Sequence, residues 1–324
     1  DAYPHMYIYS QIMDGRRQTG LVACSSVEDY FNDVIKKHEL TRPEKEEDRI
    51  RHMETLQAHV GPIFLTYPQN KSVDTIVDSI VDNEEPVYDI LTKDGIKHTV
   101  WLIRNSEHIS ELISIFENQI PFTYIADGHH RTASAAKVGL KMKQENSSHD
   151  GTEEYNFFLS VLFPDDQLQI MDYNRVVKDL NSLSDEEFLK KLNEKFVISD
   201  AKAEPSKPKI IHEFEMYLGG KWYTLIAKKE IVKKDPIGIL DVTILEENIL
   251  NPLLGIKDVR TDKRIDFVGG IRGLQELQRR VDSGEMKVAF ALYPVSLKQL
   301  MDIADSGNIM PPKSTWFEPK LRDG

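Results

Sequence analysis

The stretch that decides the fold is FTYIADGHHRTASAAK, residues 122–137, which divides into a strand, a tight turn and a helix. The apolar run Phe122–Ala126 predicts the strand, and the alanine-rich segment 132–137 predicts the helix. Asp127-Gly128-His129-His130-Arg131 forms the turn between them. The unpaired N–H groups and the positive dipole end of the helix would face whatever binds in this turn, a geometry that suits phosphate.

The residue types of the turn are consistent with an anion site. Gly128 would let the backbone approach an anion closely, and the guanidinium fork of Arg131 matches phosphate oxygens. Asp127 could hold Mg²⁺ or accept a proton. The alternative interpretation is a glycine turn bordered by solvated histidines. Zinc binding by His129 and His130 is not expected, because adjacent side chains on a strand or a helix point in different directions.

A second candidate group is the carboxylate of Glu39, which lies just ahead of the helix start predicted by Thr41-Arg42-Pro43-Glu44. Neighbouring basic residues would keep this carboxylate ionised, so it could act as a general base. The alternative is a solvated, charged helix entrance.

A third region reverses the charge of the chain. Residues 256–280 contain seven basic and four acidic residues, a local charge of +3 in a chain of net charge −12. This reversal makes Arg260 and Arg264 candidate anion-binding residues. The segment 310–320 places lysine, serine and threonine between prolines and an aromatic pair, which makes Lys313 a further candidate.

Composition restricts the class of protein. The chain has 324 residues, 40% of them hydrophobic and 29% charged, which is typical of a globular protein. Its negative charge disfavours non-specific nucleic-acid binding, and no apolar run approaches the ~18 residues of a membrane span. The single cysteine, Cys24, cannot form an intrachain disulfide and is expected to be a small buried hydrophobe. We therefore expect a cytoplasmic protein.

Strands and helices mix along the whole chain, which predicts an α/β (α+β) fold. The polar segment 144–154 lacks apolar periodicity and is the best linker candidate. We therefore expect two domains, residues 1–143 and residues 155–324, the second a mixed α/β domain that contributes to the site.

Several motifs together resemble a known family. They are Tyr7-Ile8-Tyr9, Arg17-Gln18-Thr19-Gly20-Leu21-Val22, His38-Glu39-x-Thr41, Gly61–Tyr67, Ile125–Arg131, Arg260-Thr261-Asp262-x-Arg264-Ile265 and Pro311–Thr315. With them, the chain resembles the bacterial domain of unknown function 1015 family, also labelled ParB-like, over essentially its whole length. Members of that family carry several dozen residues before the point where this chain begins, so we expect an N-terminal part of the fold to precede Asp1.

The resemblance implies a fold and a set of roles. The family looks related to free-serine kinases of ParB/sulfiredoxin-like fold, which makes residues 1–143 a nucleotide-binding domain. By similarity, Glu39 would activate the acceptor hydroxyl and Asp127 would orient it or hold Mg²⁺. The residues that would bind the nucleotide phosphates are Gly128, His129, His130, Arg131 and Thr41.

The resemblance also excludes two activities. His129 stands where sulfiredoxins need a reactive cysteine, so sulfinic-acid reduction is not expected. The chain lacks a recognisable helix-turn-helix or basic face of the kind that ParB proteins use on DNA.

The sequence therefore predicts a Mg²⁺-dependent phosphotransferase that uses ATP or ADP and a small amino-acid-like metabolite as substrates. One alternative is a nucleotide-binding switch, or a ParB-like regulator, without metabolite kinase activity. Another is an NTP hydrolase, with water as the acceptor.

Overall fold

The computed structural model describes residues 5–59 and 61–322, which fold into two compact units. Unit 1 comprises residues 5–168 and 319–322, and unit 2 comprises Gln169–Glu318. Both units combine helices with sheets, so the chain is a mixed α/β protein, as the sequence predicts.

An eight-stranded mixed sheet is the framework of unit 1. Its strands are β1 (Met6–Met13), β2 (Arg16–Ser26), β3 (Ile35–Lys36), β4 (Ile63–Tyr67), β5 (Tyr88–Leu91), β6 (Lys97–Ile103), β7 (Thr123–Asp127) and β8 (Phe157–Pro164). They lie in the order β3-β7-β4-β8-β2-β1-β6-β5. The pairs β3–β7 and β4–β8 are parallel and the other pairs are antiparallel.

The helices of unit 1 bury their apolar sides in the same core as the sheet. They are α1 (Val27–Phe31), α2 (Pro43–Leu56), α3 (Lys71–Asn83), α4 (Ser106–Asn118) and α5 (His129–Glu145), with a 3₁₀ turn at Glu154–Asn156 and another at Asp165–Gln167. Helix α3 contributes Val73, Ile76 and Ile80 to this core, at the spacing of one helix face. The core therefore fixes the positions of β7 and α5, which carry the candidate site.

The division of the chain differs from the sequence expectation. The polar segment 144–154 begins with the last two residues of α5 and continues as a loop as far as the 3₁₀ turn at Glu154, but it lies inside unit 1, and the structure divides between Leu168 and Gln169. The reason is that β8, which follows the segment, pairs with β2 on one side and with β4 on the other. A polar loop therefore connects two parts of one sheet rather than two domains.

Unit 2 is built on a six-stranded antiparallel sheet in the order β11-β13-β12-β15-β10-β14 and a separate pair, β9 with β16. Its strands are β9 (Ile170–Met171), β10 (Tyr173–Val177), β11 (Phe196–Ile198), β12 (Glu213–Leu218), β13 (Lys221–Ala227), β14 (Ile265–Gly269), β15 (Val288–Leu292) and β16 (Trp316–Phe317). Its helices are α6 (Asp185–Lys195), α7 (Asp241–Leu245), which continues as a π-helical segment over Glu246–Leu250, α8 (Gly273–Asp282) and α9 (Leu297–Asp305), with 3₁₀ turns at Lys229–Ile231 and Gly270–Arg272.

Cys24 differs from its expectation. It is exposed on β2 rather than buried, in the part of the strand beyond Val22, the last residue that pairs with β1. In the part of the chain that the structure describes, no helix has both the length and the apolar character that a membrane crossing requires.

Candidate functional site

The turn after β7 is the centre of the candidate site. Strand β7 ends at Asp127, Gly128 adopts a left-handed conformation with φ +102°, and α5 begins at once with His129. The helix was expected from Thr132; it starts earlier because Gly128 turns the chain within a single residue. The carbonyl of Gly128 accepts hydrogen bonds from the backbone N–H and the hydroxyl of Thr132, at 2.9 and 3.0 Å.

The N-cap residue of α5, Gly128, has no side chain that could cap this helix, which is 17 residues long. In most helices a side-chain oxygen at this position accepts hydrogen bonds from the first N–H groups. Without one, the positive end of α5 is directed at the turn, where it can attract an anion.

Two features disfavour any residue other than glycine at position 128: its positive φ and the nearby side chain of Arg131. A Cβ atom at Gly128 would lie 3.3 Å from both Nε and Nη2 of Arg131, so the guanidinium lies over the glycine. The Nη2 atom of Arg131 also lies 3.9 Å from Oδ2 of Asp127. Arg131 is therefore a cation placed at the mouth of the turn.

A second cation reaches Asp127 from a distant part of the chain. The ammonium of Lys320 lies 3.4 Å from Oδ1 of Asp127, and the two side chains are 43% and 39% exposed. The sequence indicated the segment 310–320 but not this lysine. Nothing in the spacing from Lys313 to Lys320 reveals which of the two reaches the turn.

Glu39 lies at the same turn, although 88 positions separate it from Asp127. Its Oε2 atom is 3.8 Å from Nδ1 of His129, and its side chain is about half exposed. Lys36 and Lys37 were expected to keep Glu39 ionised, but they form ion pairs with Asp33 at 3.0 and 3.5 Å. The predicted role of Glu39 as a base therefore rests on its position.

The side chain of His129 is directed into the protein interior, not toward a ligand in the turn. It is 5% exposed, and its ring meets that of the buried His38 edge to face, with centroids 4.4 Å apart. Burial and the neighbouring His130 lower the pKa of His129 to about 3, and burial also lowers the pKa of His38 well below its usual range. Both rings are therefore neutral near pH 7, and His129 can offer phosphate only its backbone N–H.

The two buried imidazoles leave three ring nitrogens without partners. Among the described residues, neither nitrogen of His38 nor Nε2 of His129 has a hydrogen-bond partner. His38, which stands directly before Glu39, is not among the predicted site residues. Its aromatic contact with His129 helps to explain how the His-Glu segment reaches the turn.

His130 joins the turn to helix α2. Its Nε2 atom accepts a hydrogen bond of 3.0 Å from the backbone N–H of Arg42, the residue that precedes α2. Burial, followed by the charge of Lys45, lowers the pKa of His130. An accepting nitrogen requires an unprotonated Nε2, so His130 acts here as a neutral acceptor.

Thr41 is committed to a buried carboxylate. Its hydroxyl donates to Glu46, which also accepts from the ammonium of Lys137 on α5. Burial alone would raise the pKa of Glu46, but these two hydrogen bonds lower it. The hydroxyl of Thr41 is thus engaged by Glu46, and the contact of Thr41 with phosphate stays a prediction.

The two candidate arginines of the basic region in unit 2 are paired with nearby carboxylates. Arg260 forms two hydrogen bonds of 3.0 Å with Asp258. Arg264 lies 2.9 Å from Asp262 and 3.2 Å from Asp179. The expected anion site at these arginines is therefore not supported.

Lys313 and a nearby cavity are the remaining candidate features of unit 2. The ammonium of Lys313 lies 5.6 Å from the ring centroid of Tyr173, which leaves its role as an anion ligand a prediction. A cavity of about 440 Å³ next to Arg260 is lined by side chains of both signs, including Glu246, Glu247 and Lys257. Such a lining gives an anion no clear advantage.

Comparisons with known proteins give a family and a set of distant structures. A family model described as "Protein of unknown function (DUF1015)" matches residues 1–243. No curated protein matches the chain.

The solved structures are similar only at low identity. A free serine kinase in complex with AMP is 14% identical, with a TM-score of 0.45 over 93% of this chain and 89% of the other. A C-terminally truncated SbnI from Staphylococcus aureus is 11% identical, with a TM-score of 0.47 over 93% and 85%. A conserved hypothetical protein from Pyrococcus furiosus is 15% identical, with a TM-score of 0.42 over 93% of each chain.

Proposed function

Starting from the fact that the chain belongs to the DUF1015 family, we propose that it is a Mg²⁺-dependent small-molecule kinase. It transfers a phosphoryl group from ATP or ADP to a hydroxyl of an amino-acid-like metabolite. One observation carries the proposal: the N-terminus of α5 lies beside two carboxylates that are 88 positions apart in sequence, Asp127, which precedes Gly128, and Glu39, which lies 3.8 Å from Nδ1 of His129. A kinase needs a base and a phosphate site at one place, and positioning and charge supply most of its catalysis.

In this proposal the turn holds the nucleotide phosphates. The first N–H groups of α5 and the guanidinium of Arg131 are the donors, and both are directed at the same small region. Hydrogen bonds from a cation to phosphate are among the strongest that proteins form. Gly128 serves by leaving room for the anion and for Arg131.

Asp127 is the carboxylate that would hold Mg²⁺. Proteins commonly bind this ion through one or two carboxylates together with the phosphates of a nucleotide. Among residues 5–59 and 61–322, no group of three or more His, Cys, Asp or Glu side chains is arranged to hold a metal ion by itself. A single aspartate therefore fits a Mg²⁺ ion that binds together with the nucleotide. The ion would neutralise part of the negative charge of the nucleotide phosphates.

Glu39 is the proposed general base. A base must approach the acceptor oxygen to about 3 Å, directly or through one water. Glu39 is half exposed, so an acceptor hydroxyl can approach it from solvent. A cavity lined in part by Arg131 measures about 10 Å³, which is room for one water and too small for an acceptor.

Phosphorus NMR tests the proposal directly. The protein is incubated with Mg²⁺, a panel of nucleotides and a panel of amino acids that carry hydroxyl groups. A kinase produces a phosphate-ester signal that requires both a nucleotide and one acceptor. Inorganic phosphate without an acceptor would identify an NTP hydrolase instead, and binding without turnover would identify a switch.

A further inference from the structure

The segment 319–322 follows unit 2 in the chain but belongs to unit 1. Its backbone is held by Gln11 on β1, whose Nε2 donates to the carbonyl of Lys320 at 2.9 Å. Its last described residue, Arg322, forms an ion pair with Asp94. The backbone of Lys320 is therefore attached to the sheet independently of its own side chain.

The attachment at Gln11 is a built feature of the core. Gln11 is fully buried, and its Oε1 accepts a hydrogen bond of 2.9 Å from the buried Gln18, its cross-strand partner on β2. This bond fixes the orientation of the Gln11 amide, with its nitrogen toward Lys320. Burying a side-chain amide costs free energy unless the amide is hydrogen-bonded. The chain of hydrogen bonds from Gln18 through Gln11 to the carbonyl of Lys320 therefore fixes the position of the Lys320 backbone.

The side chain of Lys320 reaches the turn from this fixed backbone. Its ammonium lies 3.4 Å from one oxygen of Asp127, while Nη2 of Arg131 lies 3.9 Å from the other. One carboxylate is thus placed between two cations, beside the positive end of α5. An anion that enters the turn would therefore meet both cations and the positive end of α5.

We propose that Lys320 is a phosphate-binding residue of the turn. Its ammonium, together with Arg131, would bind the terminal phosphate oxygens of a nucleoside di- or triphosphate. The inference rests on the proposed function, in that it takes a nucleotide phosphate to bind at Gly128–Arg131. It adds that a segment 193 positions after Asp127 completes the site.

Substitution of Lys320 tests the inference. Lys320→Met keeps most of the side-chain volume and removes the charge, and Lys320→Arg restores the charge. Lys97→Met is the matched control, because Lys97 has similar exposure (45%) and forms an ion pair of 3.1 Å with Asp89. Calorimetric titration with pyrophosphate and with ADP, each with Mg²⁺, measures the affinity of each variant.

Loss of one charge-assisted contact is expected to weaken both affinities of Lys320→Met by about tenfold to a hundredfold. Lys320→Arg should recover most of the loss, and Lys97→Met should bind like the parent. Circular dichroism checks that each variant is folded. Equal affinity in Lys320→Met and the parent, or no pyrophosphate and ADP binding by the parent at millimolar concentration, overturns the inference.

Failure of the proposed function has a different signature. If binding depends on Lys320 but no phosphate ester forms with any acceptor, the kinase proposal fails and the phosphate-binding role of Lys320 stands. If esters form and Lys320→Met retains full affinity, the kinase proposal stands and the inference about Lys320 fails.

Discussion

At the scale of single residues, Glu39 and Arg131 should fail in different ways when they are changed. Glu39→Gln keeps the shape of the side chain but cannot take a proton, so turnover should fall by ~10²-fold or more with little change in nucleotide affinity. Arg131→Ala removes a cation from the turn, so affinity should fall by about tenfold to a hundredfold. Steady-state kinetics and calorimetry separate the two effects. If the protein is a nucleotide switch, Glu39→Gln will leave its function intact.

Gly128→Ala should combine backbone strain with displacement of Arg131. An alanine held at φ +102° costs about 1–2 kcal/mol of folding stability, and its Cβ would press on the guanidinium. Gly95→Ala is the matched control, because Gly95 has φ +81° and no atom within 4 Å of an added Cβ. Urea unfolding should show a loss in both variants. Only Gly128→Ala should also weaken pyrophosphate binding, and equal binding in the two would contradict the contact with Arg131.

Burial of His38 predicts a loss of stability in mild acid. Its pKa is lowered in the folded protein, so below pH 6.5 the unfolded chain binds the proton more readily. Stability should therefore decrease as the pH falls from 6.5, by at most about 1.4 kcal/mol per pH unit for this one group. Urea unfolding between pH 7 and pH 5 measures the slope. His38→Phe, which cannot take the proton, should show a shallower slope, and an unchanged slope would exclude His38 as its source.

At the scale of secondary-structure elements, the sequence predicts the turns and helix starts that depend on neighbouring residues. Asp14-Gly15 is a typical turn dipeptide, and the β1–β2 hairpin turns there. Ser184-x-x-Glu187 has the capping-box pattern, and the two residues exchange hydrogen bonds at the start of α6. Helix α2 begins at Pro43, as its first-turn proline indicates. These signals depend on residues a few positions apart, so no knowledge of the tertiary structure is needed.

Side-chain contacts between elements that are far apart in the sequence could not be predicted from it. The buried ring of His129 packs against the ring of His38. The hydroxyl of Thr41 donates its hydrogen bond to the buried Glu46. Neither partner is identifiable from spacing. The ion pairs of Arg260 and Arg264, in contrast, follow a repeated Asp-x-Arg pattern, Asp258-x-Arg260 and Asp262-x-Arg264, that local reasoning could have used.

At the scale of the whole molecule, the division between Leu168 and Gln169 predicts which fragments can fold. A fragment that ends at residue 143 lacks β8, so β2 and β4 each lose one of their two neighbours and the sheet is divided between them. A fragment that ends at residue 168 retains all eight strands of that sheet. We expect the longer fragment to give a dispersed proton NMR spectrum and the shorter one to be unfolded or aggregated. A folded shorter fragment would favour the boundary at 144–154.

The return of residues 319–322 to unit 1 has a consequence for synthesis of the protein. A ribosome adds about 5–20 residues per second, so Lys320 emerges about 10–40 s after Asp127. Once β8 has also emerged, unit 1 has every strand of its sheet, but until residue 320 follows, its turn lacks the lysine that lies beside Asp127. If Lys320 binds phosphate as proposed, a polypeptide that stops before residue 320 would keep the sheet of unit 1 and bind phosphate less tightly. Under the proposed role of Lys320, the phosphate site is thus completed only after unit 2 has been synthesised.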